Sequence, residues 1–223
     1  MNTLPGKVQS AEAGKRGFDL NQVLTPYDIQ QFINEGYEFC LRYVARGKES
    51  DSPINLKTEE AQAILSAGLA LMPVQHAHPS GWTPSGTLGR SDGANASTFV
   101  NATGFPPGMN VWCDLEGVAE GTPQQPIIDY CTEWFQAVAN ADFVPGLYVG
   151  SPHRLLPPHF MQLPFEHYWR AYNEGLPNVA GRGYQLLQTP KPADSRIKKI
   201  SFDADITQKD AKGGQVLWLA PTK

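Results

Sequence analysis

The pattern of hydrophobic and polar positions along the chain predicts short strands separated by helices. The first helix has clear boundaries, with Thr25 as a possible N-cap, Pro26 at the first helical position and Gly36 as a stop. A second helix is predicted over 56–68, with Thr58 as its cap. The predicted strands cover 16–21, 37–45, 69–77, 110–117, 144–150, 167–173, 183–189 and 199–207, and the other helical segments cover 91–104, 126–142 and, broken by prolines, 151–163.

Eight predicted strands, the first five separated by helical segments, indicate parallel pairing through right-handed crossovers. This arrangement predicts an α/β fold, a compact (β/α)8 barrel of the TIM type with few helices in its last third. An open doubly wound sheet is the alternative, but the sequence has neither of the phosphate-binding motifs GxGxxG and GxxxxGK[ST]. We expect residues 16–223 to form one barrel domain, preceded by a flexible arm over 1–15.

Composition and charge restrict the classes of partner. The 223 residues carry a formal net charge of −4 and contain no run of Lys or Arg, so neither nucleic acid nor membrane insertion is expected. No apolar run is long enough to span a membrane, and the first residues lack the apolar region of a Sec-type signal peptide. We therefore expect a soluble protein that acts at the cell envelope if a non-Sec route exports it, and that is otherwise cytoplasmic.

Cysteine and histidine spacing gives little support for a metal or cofactor. Cys40, Cys113 and Cys131 are too few and too widely spaced for a disulfide framework or a zinc ribbon, and the first two lie in apolar runs typical of buried thiols. His76 and His78 alternate at the end of a predicted strand, a spacing that can chelate zinc, but a third ligand has to come from elsewhere. We expect neither a metal nor a cofactor.

Acidic residues recur at or near the ends of predicted strands 1, 4 and 8. They are Asp19, Asp114 with Glu116, and Asp203 with Asp205. Because active sites of such barrels lie at the C-terminal ends of the strands, we expect these carboxylates to share one mouth. Residues two apart on a strand are about 6.6 Å apart at Cα. Asp114 and Glu116 can therefore approach the roughly 5 to 9 Å separation of glycosidase carboxyl pairs, in which one group stays protonated.

Aromatic residues near the same predicted mouth favour a sugar cleft. Trp82 follows predicted strand 3, Tyr148 ends strand 5, and Trp169 and Tyr172 lie on strand 6. Aromatic faces stack on sugar rings and often line concave sites. His76 is expected to line the same sugar or water network. These residues are the candidate substrate-binding set.

The segments GFDLNQ, VWCDLEG, YVG, YQLLQT and ISFDADIT, in this order, resemble the glycoside-hydrolase-like domain of unknown function related to family 25 glycoside hydrolases, the lysozymes or muramidases. The resemblance covers nearly the whole chain after residue 15, and the Asp-x-Glu strand end is its most specific part. Family 25 members are (β/α)8-like barrels that cleave the β-1,4 bond between N-acetylmuramic acid and N-acetylglucosamine in peptidoglycan. The resemblance implies the same fold and a glycan substrate.

Carried over residue by residue, the resemblance assigns roles to the carboxylates. Glu116 is similar to the family's general acid/base, and Asp114 to the partner that orients or stabilises the 2-acetamido group of the substrate. Asp19 matches the first-strand aspartate and Asp203 the last-strand one. The implied reaction is substrate-assisted hydrolysis, in which that acetamido group attacks the anomeric carbon.

The last part of the chain departs from the family pattern. Gln188 matches a glutamine that follows an aromatic strand, but it stands in Leu187-Gln188-Thr189 where Trp-Gln-Tyr is expected, and Asp205 stands where Asn is usual. Three functions stay open: a muramidase-like hydrolase, a catalytically silent barrel that binds glycan or another protein, and a metal-dependent hydrolase using His76 and His78.

Overall fold

A computed structural model describes residues 3–48, 51–193, 195–197 and 199–222, and within these ranges most strands form one barrel. The strands are β1 (Lys7–Ser10), β2 (Arg16–Leu20), β3 (Phe39–Val44), β4 (Ala70–Gln75), β5 (Asn110–Leu115), β6 (Val144–Val149), β7 (His167–Arg170), β8 (Leu186–Thr189), β9 (Asp203–Thr207) and β10 (Leu217–Ala220). The helices are α1 (Pro26–Asn34), α2 (Thr58–Ser66), α3 (Gly86–Thr103), α4 (Gln124–Ala139) and α5 (Pro157–Phe160).

Strands β2 to β9 close on themselves in chain order, which confirms the predicted barrel. Neighbours from β2 to β8 pair in parallel, whereas β9 pairs antiparallel with both β8 and β2. The prediction of a parallel last strand is therefore wrong. A parallel return needs a crossover, usually a helix, and the described residues between β8 and β9 form none. The reversal places Asp203, at the start of β9, opposite Asp19 near the end of β2.

The first helix follows its sequence signals closely. Thr25 accepts a hydrogen bond from the backbone N–H of Asp28 at 3.2 Å, and the Asp28 carboxylate accepts one from the backbone N–H of Thr25 at 3.0 Å. This reciprocal capping box satisfies two donors at the start of α1. The helix gives way at Gly36, which has a φ of 82°. The predicted boundaries of α1 are confirmed.

Two other helices begin at positions that differ from the prediction. Thr58 is the first residue of α2 rather than its cap, and its hydroxyl donates to the carbonyl oxygen of Thr103 at 3.1 Å. Helix α3 begins at Gly86, five residues before its predicted start, with the Ser85 hydroxyl capping the N–H of Leu88. Glycine at three positions of this segment obscured the helix in the sequence, because glycine has low helix propensity.

The predicted flexible arm contains a strand. Strand β1 pairs antiparallel with β10, and β10 in turn contacts β4 through Leu219 and Leu71. Leu4 and Ala11, on either side of β1, are buried. The prediction of a flexible arm is wrong for these residues, since the polar β1 is held by a strand more than 200 residues away in sequence. No helix within the described ranges is both long and apolar enough to cross a bilayer.

Large side chains fill the lower part of the barrel. A Cβ on Gly17 would lie 2.2 Å from the ring of Phe39, and a Cβ on Gly146 would lie 2.5 Å from Trp112. Outside the barrel, the ring of Phe18 stacks on Phe32 of α1 with centroids 3.5 Å apart. The buried free thiols predicted at Cys40 and Cys113 are confirmed, and Cys131 is also a buried free thiol. Because large side chains fill the base of the barrel, its polar groups lie at the carboxyl end of the parallel strands.

Candidate active site

Four carboxyl groups predicted from separate strands meet at one end of the barrel. Asp114 is on β5 and Glu116 lies just beyond it, while Asp19 on β2 is cross-strand partner to Asp203 on β9. The negative charges of Glu116 and Asp203 both act on Asp19, and Glu116 also acts on Asp114. The structure therefore brings all four together, with Asp205 against Asp19 below them, and these five acids form one acid cluster.

The acid cluster holds protons more tightly than free carboxyl groups do. Burial raises the pKa of Asp19 to about 7, and burial together with the charge of Glu116 raises the pKa of Asp114 well above its ordinary value. Burial, followed by the charge of Asp203, also raises the pKa of Glu116. Partial burial raises the pKa of Asp203 as well. Raised carboxyl pKa values of this kind suit a general acid that works near neutral pH.

Asp114 has an unusual hydrogen-bonding environment. Its carboxyl group is only 3% exposed and accepts a hydrogen bond from the backbone N–H of Ala77. Its Oδ1 atom is buried and has no hydrogen-bond partner among the residues that the structure describes. A buried acceptor without a donor costs roughly 1–3 kcal/mol. A bound N–H or O–H donor would recover that energy.

Contacts to the main chain and the side chain fix the position of Glu116. The indole N–H of Trp82 donates to the carbonyl oxygen of Glu116 at 2.7 Å, and Trp82 also forms a parallel bridge with Val118. On the other side, a Cβ on Gly150 would lie 2.8 Å from both Cβ and Oε2 of Glu116. The general-acid candidate is therefore packed between two loops that follow β4 and β6.

Trp82 is not an open sugar platform. The sequence predicts it as a substrate-binding aromatic, but its ring stacks on His78 at 4.3 Å and meets the ring of Tyr130 edge-on at 4.9 Å. Behind it, Asp92 on α3 accepts hydrogen bonds from Tyr130 at 2.9 Å and from His78 at 2.6 Å. Asp92 was missed because an acidic residue in mid-helix carries no local sign of a buried role.

Gln188 links the acid cluster to two tyrosines. Its side-chain N–H donates to Asp19 at 2.8 Å, and its side-chain oxygen accepts from the Tyr148 hydroxyl at 3.0 Å and from the backbone N–H of Tyr172 at 3.3 Å. The side chain of Tyr172 itself is 62% exposed. Tyr148 and Gln188 thus lie in the cluster as predicted, and Tyr172 offers an open aromatic face at its rim.

Trp169 and Asp205 lie below the mouth rather than on its surface. Trp169 is fully buried between Trp112 and Tyr148, and its indole N–H donates to Asp205 at 2.9 Å. Asp205 is 2% exposed and contacts Asp19. The predicted sugar-stacking role does not fit a ring with no exposed face. Trp169 instead orients an acid of the cluster.

His76 and Tyr43, which was not predicted from the sequence, complete the surroundings of the acid cluster. The Nε2 atom of His76 lies 2.7 Å from the Asn55 side-chain oxygen, its ring packs on Tyr43 at 4.8 Å, and burial lowers its pKa to about 4. The hydroxyl of Tyr43 feels the charges of Asp19 and Asp114, so it faces the acid cluster. The position of Tyr43 near the end of a predicted barrel strand was the sign in the sequence that could have identified it.

A cavity of about 320 Å³ adjoins the cluster and is lined by His76, Ala77 and His78. Ala77 is also the residue whose N–H bonds to Asp114, so cavity and cluster are contiguous. Within the described ranges, no group of three His, Cys, Asp or Glu side chains has the geometry to hold a metal ion. The metal-dependent hypothesis therefore gains no support from His76 and His78, which contact Asn55 and Asp92 instead.

Comparison with known proteins identifies similar folds. A family model described as "Rv2525c-like, glycoside hydrolase-like domain" matches residues 30–193. No curated protein sequence matches significantly. Similar solved structures include an uncharacterized protein from B. stearothermophilus, with a TM-score of 0.67 and 18% identity over 87% of this chain and 96% of that chain.

Two further solved structures share this fold. The Tat-secreted protein Rv2525c of Mycobacterium tuberculosis, in complex with HEPES, has a TM-score of 0.67 and 16% identity over 89% of this chain and 98% of its own. A muramidase from Trichobolus zukalii has a TM-score of 0.59 and 14% identity over 89% and 95%. At these identities the likeness shows the barrel fold alone.

Proposed function

The chain belongs to the Rv2525c-like, glycoside hydrolase-like family, and on that premise we propose that it is a muramidase-like hydrolase that cleaves β-1,4 bonds in peptidoglycan or a related N-acetylated glycan. One observation carries the proposal: Asp114, with a buried acceptor atom that no described residue satisfies, and Glu116, with a raised pKa, lie side by side at the barrel mouth. The similar fold of a muramidase supports it.

Glu116 supplies the proton for bond cleavage. Its raised pKa keeps a larger protonated fraction near neutral pH than an ordinary glutamate has. It is half-buried, so it can reach substrate while water access stays restricted. The proton passes from Glu116 to the glycosidic oxygen as the bond from that oxygen to the anomeric carbon breaks.

Asp114 holds the acetamido group whose oxygen displaces the glycosidic oxygen from the anomeric carbon. The amide N–H of that group donates to the unsatisfied carboxyl oxygen of Asp114, which aligns the amide oxygen for attack on the anomeric carbon. Water then opens the resulting oxazolinium ring and gives its proton to the Glu116 carboxylate. The product keeps its anomeric configuration, and the enzyme returns to its starting state.

The remaining residues of the cluster bind and orient. Asp19, Asp203 and Gln188 surround the reacting carboxyl groups with negative charge and a fixed amide, which favours positive charge developing at the anomeric carbon. The exposed ring of Tyr172 and the cavity beside His76 extend the surface available to further sugar residues.

A peptidoglycan substrate requires a location outside the cytoplasm. Rv2525c, which shares the fold, is described as Tat-secreted. We propose that this chain also acts at the cell envelope after export. Localisation of the native protein in cell fractions tests this part of the proposal separately.

Replacement of Glu116 by Gln tests the general-acid role. The substitution keeps the side-chain size and removes the proton, so release of reducing ends from insoluble peptidoglycan should fall by about 10²- to 10⁴-fold. Glu120→Gln is the matched control, since Glu120 is an exposed residue of the same loop. The control should keep wild-type turnover.

Binding of each protein to the same peptidoglycan separates the rival outcomes. Full activity of the Glu116→Gln protein would contradict the assignment of this residue. Tight binding by all three proteins with no release of reducing ends would instead support a catalytically silent glycan-binding barrel.

A further inference from the structure

We propose that Asp205 is a positioning residue that keeps its carboxyl proton and donates it in a hydrogen bond to Asp19, so that the deepest acid of the cluster works as a titratable donor. The effect of this on turnover rests on the proposed function, whereas the shared proton itself does not. Asp205 does not contact substrate in this account. It acts through Asp19.

The strand register sets up the contact. On β9, Asp205 stands opposite Gly17 of β2 and opposite Gln188 of β8, while Asp203 stands opposite Asp19. Asp19 and Asp205 are thus diagonal neighbours on the inward face of the barrel. Diagonal side chains of adjacent strands are within reach of each other, and the glycine opposite Asp205 leaves the space open. The Oδ2 atom of Asp205 is buried there, and the two carboxyl groups lie close enough for one proton to bridge them.

The hydrogen-bond partners of Asp19 and Asp205 leave one oxygen of Asp205 free to carry a proton. Asp205 accepts from the Trp169 indole through Oδ1, and its buried Oδ2 has no hydrogen-bond partner among the residues described. Asp19 accepts from the Gln188 amide through Oδ2. Two ionised carboxylates are acceptors only, so a direct hydrogen bond between them exists only when one carries a proton.

The surroundings assign that proton to Asp205. It is 2% exposed, and burial raises its pKa well above the ordinary value, with the charge of Asp19 raising it further. Burial raises the pKa of Asp19 only to about 7, because the Gln188 amide stabilises its ionised form. Each group accepts one hydrogen bond, so the deeper of the two keeps the proton.

No cation opposes this assignment among the described groups that act on Asp205. From its own strand Asp203 faces it, and from β2 Asp19 does. The hydroxyls of Tyr148 and Tyr37 also feel its charge. The two carboxylates favour the protonated form of Asp205, and the two tyrosines are neutral. The neighbours on β7 and β8, Trp169 and Gln188, are neutral.

The consequence for the acid cluster depends on pH. Below the pKa of the pair, Asp205 donates to Asp19 and fixes it against Gln188. Above that pKa both groups are ionised, the hydrogen bond is lost and the charges repel. The amide of an asparagine, the residue usual at this position in the resemblance, would donate at every pH. Asp205, in contrast to an asparagine at this position, therefore donates only below the pKa of the pair.

Carbon-13 NMR of aspartate side-chain carboxyls in the whole chain tests the proton directly. In wild-type protein, one carboxyl resonance that disappears in Asp205→Asn should remain in its protonated form above pH 6, where an ordinary aspartate is ionised. Asp142→Asn is the matched control: Asp142 is exposed with a φ of 64°, a conformation that Asn also adopts, so the Asp205 signal should persist. Ionisation of the Asp205 signal by pH 5 would overturn the proposal.

A second variant tests the assignment without altering Asp205. Trp169→Phe removes the donor that stabilises the ionised form, so the titration midpoint of the Asp205 resonance should move upward by about one pH unit. An unchanged or lowered midpoint would contradict the proposal.

In Asp205→Asn the loss of activity on the alkaline side should shift to higher pH. If wild-type protein hydrolyses no glycan, the proposed function fails. The two NMR experiments still show whether Asp205 carries the proton.

Discussion

Glu116 owes its position to the absence of a side chain at Gly150. A Cβ there would lie 2.8 Å from the Cβ of Glu116 and 2.7 Å from the ring of Tyr148, so one of them must move. Displacement by about 1 Å of a group that transfers a proton can cost about 10²-fold in rate. In the proposed mechanism Gly150 therefore contributes to the catalytic geometry although it has no functional group.

Gly150→Ala should lower the rate of glycan hydrolysis by about 10- to 100-fold while the protein stays folded, because Glu116 is pushed away from its position. The measurement is release of reducing ends together with a circular dichroism melting curve. Gly175→Ala is the control, since nothing lies within 4 Å of a Cβ there. Unchanged activity in the Gly150 variant would show that the position of Glu116 is not critical.

At the residue scale, the sequence was informative about the acids and less so about the aromatics. Asp114 and Glu116 share a face because strand side chains repeat every two residues, and that relation is local. The burial of Trp82 and Trp169 depends on His78, Tyr130 and Asp205, which come from distant segments. A tryptophan at a predicted strand end looks the same whether its face is open or covered.

Two glycines allow α3 and α4 to pack closely. A Cβ on Gly89 would lie 2.1 Å from the carbonyl oxygen of Tyr130, and a Cβ on Gly93 would lie 2.7 Å from that of Trp134. Residues four apart lie on one helix face, so the two glycines form a flat contact surface against α4. This contact supports Asp92 and Tyr130, which in turn hold His78 beneath Trp82.

Gly89→Ala should lower the free energy of unfolding by at least about 1–3 kcal/mol, because the new methyl group meets backbone atoms that have little freedom to move. Gly86→Ala on the same helix is the matched control. Its Cβ would make only ordinary contacts of 3.4 Å or more, and alanine improves helix propensity by about 1 kcal/mol. Urea denaturation measures both. Equal stability of the two variants would contradict the close-packing account.

At the element scale, local signals predicted more than long-range pairing did. The N-cap at Thr25 and the proline at the first position of α1 were predicted from adjacent residues and are confirmed. The antiparallel direction of β9 and the pairing of β1 with β10 were missed, because both depend on contacts between segments far apart in the chain. The error in β9 did not disturb the site, since the reversed strand starts at the mouth and still brings Asp203 to Asp19.

The whole molecule is a barrel with a filled base and an acidic mouth. Glycines and large aromatic residues pack the lower interior of the barrel. The charged groups are concentrated where the parallel strands end and β9 begins. The eight-strand count and this clustering were both predictable from the sequence. The sequence did not predict which carboxyl groups keep their protons, because that depends on burial, which only the structure provides.

In the proposed mechanism, Glu116 and Asp114 cleave glycan with the help of the substrate's own acetamido group. The direct measurement is the release of reducing ends by wild-type protein from two preparations of one peptidoglycan, one fully N-acetylated and one chemically N-deacetylated. The account predicts cleavage of the acetylated material and none of the deacetylated material, which lacks the internal nucleophile. Equal cleavage of both, or cleavage of neither, would contradict it.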